Sequence, residues 1–167
     1  TSPRQLNNAP DKANRLLRDE LCLAPAPAPL QLSDGWTVSY APGVTRVEGR
    51  CGPARPITRA DLDEVLPRVL TTLFKEEIQE VRLNSQMASW PKDELTPFLL
   101  NDFYPGRSGD AFVVPRRRVL QHWDPGRGSG HGSTHDYDTN VPLIFWGAGF
   151  KAMSSDAEDA APYDLAV

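Results

Sequence analysis

The chain has 167 residues, of which 40% are hydrophobic and 24% are charged, a composition typical of a globular protein with one substantial core. Its formal net charge of -4 excludes nucleic-acid binding by bulk electrostatic attraction. No apolar run approaches the roughly 20 residues that cross a bilayer, so we expect no membrane span.

The first predicted element is a helix at 11–23, where Leu16, Leu17 and Leu21 recur at helical spacing among charged residues. Alternating Ala and Pro at 24–29 end it, because repeated prolines exclude a helix and favour an extended chain. Residues 1–29 are therefore predicted to form a helix followed by a linker. A short strand is predicted at 36–40, and the segment 41–56, rich in Gly and Pro, is predicted to be irregular.

A second helix is predicted from Thr58 to about Phe74. Thr58 is suited to cap its start, with Asp61 three residues later as in a capping box, and Pro67 is expected to kink or split it. The elements predicted to follow are a strand at 78–83, a helix at 91–103 that opens with Pro91, and a strand at 111–114. This order predicts a small α+β accessory subdomain at 30–118 with a ferredoxin-like character.

Cys22 and Cys51 are the two cysteines of the chain. They could form one disulfide or remain as free thiols, and the sequence leaves both possibilities open. Neither cysteine lies in a Cys-x-x-Cys spacing or near a histidine, which argues against a zinc site built from them.

The most informative segment begins with His131, which lies between Gly130 and Gly132 on a loop that leads into an apolar, β-type stretch. Flanking glycines permit a tight turn and leave space around the imidazole, so one ring nitrogen could reach a metal. Upstream, the run 101–110 (Asn-Asp-Phe-Tyr-Pro-Gly-Arg-Ser-Gly-Asp) precedes the apolar residues 111–115.

The pattern His-Gly-Ser-x-x-x-Tyr-Asp-x-x-Val-Pro-Leu-Ile-Phe-x-Gly, which starts at His131, resembles the C-terminal signature of the alkaline phosphatase superfamily. The resemblance is to the branch of monomeric alkaline phosphatases and nucleotide pyrophosphatase-phosphodiesterases. The run 101–115 resembles a second element of that branch, in the same order. The implied fold class is α/β: part of an alkaline phosphatase-like α/β/α sandwich, carrying the α+β ferredoxin-like insertion. Residues 119–167 would be the C-terminal segment of the catalytic core.

In that family the His-Gly histidine is a ligand of a di-zinc centre, which implies His131 as a metal ligand here. The nucleophile and the other ligands lie earlier in such proteins, and complete enzymes are longer than this chain. The resemblance therefore implies the C-terminal part of a zinc-dependent phosphohydrolase, inactive alone and completed by the remaining catalytic domain. Its substrate would be a phosphate ester, and its location periplasmic or extracellular.

Two alternatives remain. The chain could be a non-catalytic binding or structural α+β domain, or it could belong to a sulfatase-type relative, because the superfamily scaffold is shared by different chemistries. A nucleotide-binding P-loop at 126–132 is not supported, because neither Lys-Ser nor Lys-Thr follows the glycines.

The polar neighbours of His131 have simpler interpretations. His135 is expected to face substrate or solvent, and His122, beside Trp123, is expected to be structural. Asp136 and Asp138 could support a metal-bound imidazole, although Asp138 is better explained as fixing the loop together with Tyr137. The basic cluster 116–118 is expected to be a solvated loop or strand edge, with a phosphate-steering role as the alternative.

Overall fold

A four-stranded antiparallel sheet forms the centre of the protein. The computed structural model describes residues 4–5, 9–33, 36–120, 132–142 and 144–151. The sheet has the order β2-β3-β7-β6. Its strands are β2 (Leu30–Ser33), β3 (Thr37–Tyr40), β7 (Ala111–Pro115) and β6 (Ile78–Leu83).

Two smaller pairings flank this sheet. Strand β1 (Arg4–Gln5) runs parallel to β8 (Val119–Leu120), and β4 (Thr45–Arg46) runs antiparallel to β5 (Arg55–Pro56). The segment between β4 and β5 belongs to the predicted irregular region, and it carries Cys51. The structure joins Cys51 to Cys22 in a disulfide, which links the segment between β4 and β5 to the end of the first helix.

Two helices, α1 (Ala9–Leu21) and α2 (Arg59–Leu73), contact each other and cover one face of the sheet. Their apolar stripes meet the inward side chains of the strands in one core cluster, so α1 shares its core with the sheet. Burial of these side chains from water is the main stabilising contribution. The largest fully buried aliphatic side chains of this cluster are Leu17, Val38, Leu66 and Val69.

The opposite face of the sheet is covered by a 3₁₀ helix (Asn84–Ser89) and by α3 (Leu95–Asp102). Side chains alternate along a strand, so Ala111 and Val113 of β7 join the first core while Phe112 and Val114 join the second. All five residues of β7 are buried, as expected for a central strand with helices on both sides. The described part of the chain thus has three layers.

The start of α2 confirms the prediction made for Thr58. The Thr58 hydroxyl accepts the Asp61 N–H, and the Asp61 carboxylate accepts the Thr58 N–H at 2.8 Å, which is a capping box. Arg55 also pairs with Asp61, and this guanidinium, the largest cause, holds the pKa of that carboxyl well below its ordinary value. The helix is continuous across Pro67, so of the two expected outcomes, a kink or a split, the split does not occur.

The connectivity agrees with a mixed α/β fold, but the ferredoxin-like insertion is not confirmed. Strands β3 and β6 are both antiparallel to β7, which lies between them, so β3-α2-β6 is a split β-α-β unit. The fourth strand of the sheet, β2, precedes this unit instead of following it, and α3 lies on the face opposite α1 and α2. Within the described ranges, no helix combines the length and apolar character needed to cross a membrane.

Candidate functional site

The run 101–110 links the end of α3 to the central strand β7. At Gly109, an added Cβ would lie 2.6 Å from the Val38 carbonyl oxygen, so this close approach requires glycine. The next residue, Asp110, accepts the Tyr40 N–H at 2.6 Å and pairs with Arg59. This element of the motif therefore fixes the turn against β3.

The loop after His131 is held by Asp138, as the sequence predicted. Asp138 accepts the Ser133 N–H at 3.0 Å and also the Ser133 hydroxyl. The intervening residues include one helical turn, α4 (Asp136–Thr139). Gly132, directly after His131, has φ +95°, a left-handed conformation that favours glycine. The Asp138 carboxylate therefore closes the loop on itself through charge-assisted hydrogen bonds with Ser133.

His135 is an anchor of this loop, and the expectation that it faces substrate or solvent is wrong. Its side chain is buried, with a relative exposure of 7%. Nε2 lies 2.8 Å from the Pro115 carbonyl oxygen, which can only accept, so the ring N–H donates there. The imidazole also stacks on Tyr137 at a centroid distance of 5.6 Å. His135 thereby attaches the loop to the end of β7.

The basic cluster at 116–118 supports the same loop from outside. The Arg117 guanidinium pairs with Asp136 at 2.7 Å and lies 5.4 Å from the centre of the Tyr137 ring, while the Arg118 N–H donates to the Tyr137 hydroxyl at 3.1 Å. The Arg117 hydrogen bond, the largest cause, lowers the pKa of Asp136. All three arginines of the cluster are exposed, which agrees with the predicted solvated edge.

A cleft of about 320 Å³ lies between α3, β7 and the loop that follows His131. The sequence did not predict it, because its walls come from four separate stretches of chain. The lining residues that carry aromatic or polar side chains are Trp36, Phe98, Asp102, Phe112, Ser133, Thr134 and Thr139. Gly132 also lines the cleft, so the cleft begins one residue after the predicted zinc ligand.

His131 itself, like His122, lies in the range 121–131, outside the described residues. In the part of the chain that the structure does describe, no group of three or more His, Cys, Asp or Glu side chains could hold a metal ion. The described residues therefore do not form a zinc site by themselves, and the metal-ligand assignment of His131 stays a prediction.

The apolar stretch after this loop was expected to be β-type, but its described residues 141–142 and 144–146 form no strand. Its side chains are exposed, with Ile144 at 80% and Trp146 at 95%. An extended apolar run of this kind is stable as a strand only with hydrogen-bonded neighbours and apolar cover. Among the strands that the structure describes, none pairs with it.

No protein-family model and no curated protein matches the sequence. Among solved structures, the chain is similar to wild-type alkaline phosphatase PafA, with a TM-score of 0.52 and 14% sequence identity. The similarity covers 81% of this chain and 24% of that chain, so this chain spans about a quarter of the solved protein. At this identity the likeness concerns the fold: the chain has a distant alkaline phosphatase-like fold.

Proposed function

We propose that this chain is the C-terminal part of a zinc-dependent phosphoric ester hydrolase, with His131 as one zinc ligand. The observation that carries the proposal is the fold similarity to an alkaline phosphatase over 81% of the chain. The two sequence elements that resemble the same superfamily, at 101–115 and from His131 onward, support it independently. The substrate proposed is a phosphate ester, cleaved as a monoester or as a diester.

The proposed role of this chain is to supply His131 as a metal ligand. His135 joins the loop to the end of β7, and Asp138 closes the loop through Ser133. These contacts hold the loop that directly follows His131, and the residues around a metal ligand commonly support its orientation. When bound, zinc would polarise the phosphoryl group and stabilise the charge on the leaving oxygen.

The remaining ligands and the nucleophile are proposed to come from another part of the catalytic domain. Two observations support this. The solved phosphatase chain is about four times longer than the matched region, which is 24% of it, and the exposed apolar residues Ile144 and Trp146 need cover of a kind that a larger sheet would supply. This chain alone is therefore proposed to be inactive.

We also propose a periplasmic or extracellular location. The Cys22–Cys51 disulfide supports it, because structural disulfides persist mainly in oxidising compartments.

Hydrolysis assays test the proposed function. The complete encoded polypeptide is expected to hydrolyse 4-nitrophenyl phosphate when zinc is supplied, and this chain alone is expected not to. Chelator-sensitive turnover by this chain alone would refute the division of the site. Hydrolysis of 4-nitrophenyl sulfate in preference to the phosphate would instead support a sulfatase-type relative, and hydrolysis of neither ester would support a non-catalytic domain.

A further inference from the structure

We propose that the Cys22–Cys51 disulfide is a site of modification by low-molecular-weight thiols of the glutathione class. The thiol attacks the Cys51 sulfur and releases Cys22 as a thiolate that is stabilised by the Arg50 guanidinium. No step depends on the proposed function, because every contact involved lies between the end of α1 and the segment that joins β4 to β5.

The disulfide lies at the surface of the protein. Cys22 and Cys51 are each half-buried, and Arg50 is exposed. The neighbouring residues 47–50 and 53–54 are exposed as well. The bond is therefore open to small solutes, in contrast to a disulfide that is enclosed in a hydrophobic core.

The Cys22 sulfur has a cation beside it. Arg50 Nε donates to Cys22 Sγ at 3.3 Å. A terminal nitrogen of the same guanidinium donates to the Asp19 carbonyl oxygen, which holds the Arg50 side chain against the end of α1. A neighbouring guanidinium stabilises a thiolate, so negative charge is favoured on the Cys22 sulfur.

The Cys51 sulfur has the opposite surroundings. It lies 3.5 Å from the Glu20 carbonyl oxygen, at the C-terminal end of α1. The last carbonyls of a helix carry partial negative charge, which disfavours a thiolate beside them. Arg46 is also near, but it donates to the Cys51 carbonyl oxygen at 2.8 Å and lies 3.9 Å from the Asp61 carboxylate. Of the two cysteines, Cys51 therefore has the less stable thiolate.

This difference decides which sulfur is attacked. In thiol–disulfide exchange the incoming thiolate forms an S–S bond with one sulfur, the original S–S bond breaks, and the other sulfur leaves with the electron pair. The more stable thiolate leaves faster. Attack at Cys51 thus gives a mixed disulfide on Cys51 and a Cys22 thiolate beside Arg50. The Arg50 side chain also lies against Cys22 Sγ and shields that sulfur from direct attack.

Backbone hydrogen bonds hold the same region independently of the sulfur atoms. The Val47 N–H donates to the Cys22 carbonyl oxygen at 2.8 Å, and the Ala24 N–H donates to the Thr45 carbonyl oxygen at 2.9 Å. The pairing of β4 with β5 adds to these contacts. We therefore expect the exchange to release only the tip between β4 and β5 from α1, while the rest of the chain stays folded.

The test is incubation of the folded, oxidised chain with excess reduced glutathione, followed by rapid alkylation with N-ethylmaleimide and peptide mapping after pepsin digestion at low pH. We expect the product with glutathione on Cys51 and N-ethylmaleimide on Cys22 to exceed the inverse product by about fivefold, the effect of one neighbouring charge in a solvated setting. Equal amounts of the two products, or an excess of the inverse product, would overturn the proposal. An unmodified disulfide in the folded protein, under conditions that modify the urea-unfolded protein, would overturn it as well.

Arg50→Gln removes the guanidinium charge and is expected to lower the product ratio by about fivefold. Arg15→Gln, at an exposed position of α1, changes the net charge equally and should keep the ratio of the parent protein. An unchanged ratio in Arg50→Gln would overturn the role of Arg50. Matching circular dichroism spectra of the three proteins separate a changed ratio from a changed fold, and the ratio in the parent protein decides the site of attack without either variant.

Discussion

Replacing Asp93 with Asn tests how the wall of the cleft is held. The Arg82 side chain is 2% exposed and donates to Asp93, to Thr96 and, at 2.7 Å, to Glu80. These contacts join β6 to the start of α3. The Arg82 hydrogen bond, the largest cause, lowers the pKa of Asp93 from 3.8 to about 2. Because the substitution removes one of the two carboxylates that pair with the buried Arg82 guanidinium, it is expected to destabilise the fold.

The magnitude follows from the pKa shift. A lowering from 3.8 to about 2 corresponds to roughly 2.4 kcal/mol of extra stability of the charged form. Since the Asp93 side chain is 40% exposed, solvent screening reduces this to about 1–2 kcal/mol. The folded-state pKa is the lower one, so the contribution is complete above the ordinary value of 3.8 and is lost as the pH falls toward about 2.

Thermal unfolding of both proteins as a function of pH measures this effect. At neutral pH, Asp93→Asn is expected to lower Tm by about 3–6 °C, and the difference should shrink as the pH falls through the window between the two pKa values. Asp19→Asn, at an exposed position of α1, is the control and should follow the parent protein throughout. A Tm difference that is absent at neutral pH, or that persists unchanged at low pH, would refute the reasoning.

Three further predictions concern the disulfide, the loop and the apolar stretch. Replacing Cys22 and Cys51 with Ser should lower the free energy of unfolding by about 3–4 kcal/mol, because the bridge closes a loop with a sequence separation of 29 residues; denaturation midpoints measure this. Asp138→Asn should accelerate amide hydrogen exchange at Ser133, whose N–H would lose a charged acceptor. Trp146→Ser should reduce self-association of this chain in analytical ultracentrifugation, because Trp146 is 95% exposed.

Each of these has a clear opposite result. Titration of two thiols in the denatured, unreduced protein would contradict the disulfide. Unchanged exchange at Ser133 would show that Asp138 does not hold the loop, with exchange in α2 as the internal reference. Tyr104→Ser removes another exposed aromatic side chain and is the control for Trp146→Ser. Equal self-association of the parent protein, Trp146→Ser and Tyr104→Ser would show that the stretch around Trp146 does not mediate self-association.

Features that depend on neighbouring residues were predictable from the sequence. The capping box of Thr58 and Asp61 spans three residues, and the loop contact of Asp138 with Ser133 spans five, so both patterns are visible in the sequence. The helices at 11–23 and 58–74 and the strands at 36–40, 78–83 and 111–114 were found for the same reason, because their periodicity is local.

Features that depend on distant partners were missed or misplaced. Strand β2, which follows a proline-rich stretch, was missed. Its first residue, Leu30, is held by the buried Asn14 side chain, which accepts the Leu30 N–H and donates to the Leu30 carbonyl oxygen across a separation of 16 residues. The third helix was expected to open at Pro91, but it begins at Leu95, because the Asp93 carboxylate accepts the Leu95 and Thr96 N–H groups.

The candidate site shows the same contrast between features set by neighbouring residues and features set by distant partners. His135 lies in a polar, glycine-rich loop, and nothing nearby in sequence shows that its ring bonds to Pro115, which is 20 residues away. The cleft likewise joins Trp36, α3 and the loop that follows His131, which only the folded chain brings together. The pairing of Cys22 with Cys51 was left open because it depends on the path of the segment between β4 and β5.

The zinc content of the complete encoded polypeptide, with and without His131, tests the central claim most directly. We predict that His131→Ala lowers bound zinc and the rate of phosphate ester hydrolysis together, because a site that loses one ligand no longer fixes the ion. His135→Gln is the control: it keeps an N–H that can donate to Pro115, and it should retain the metal. Full zinc occupancy in His131→Ala, or an equal loss of zinc in both variants, would contradict the assignment of His131 as a ligand.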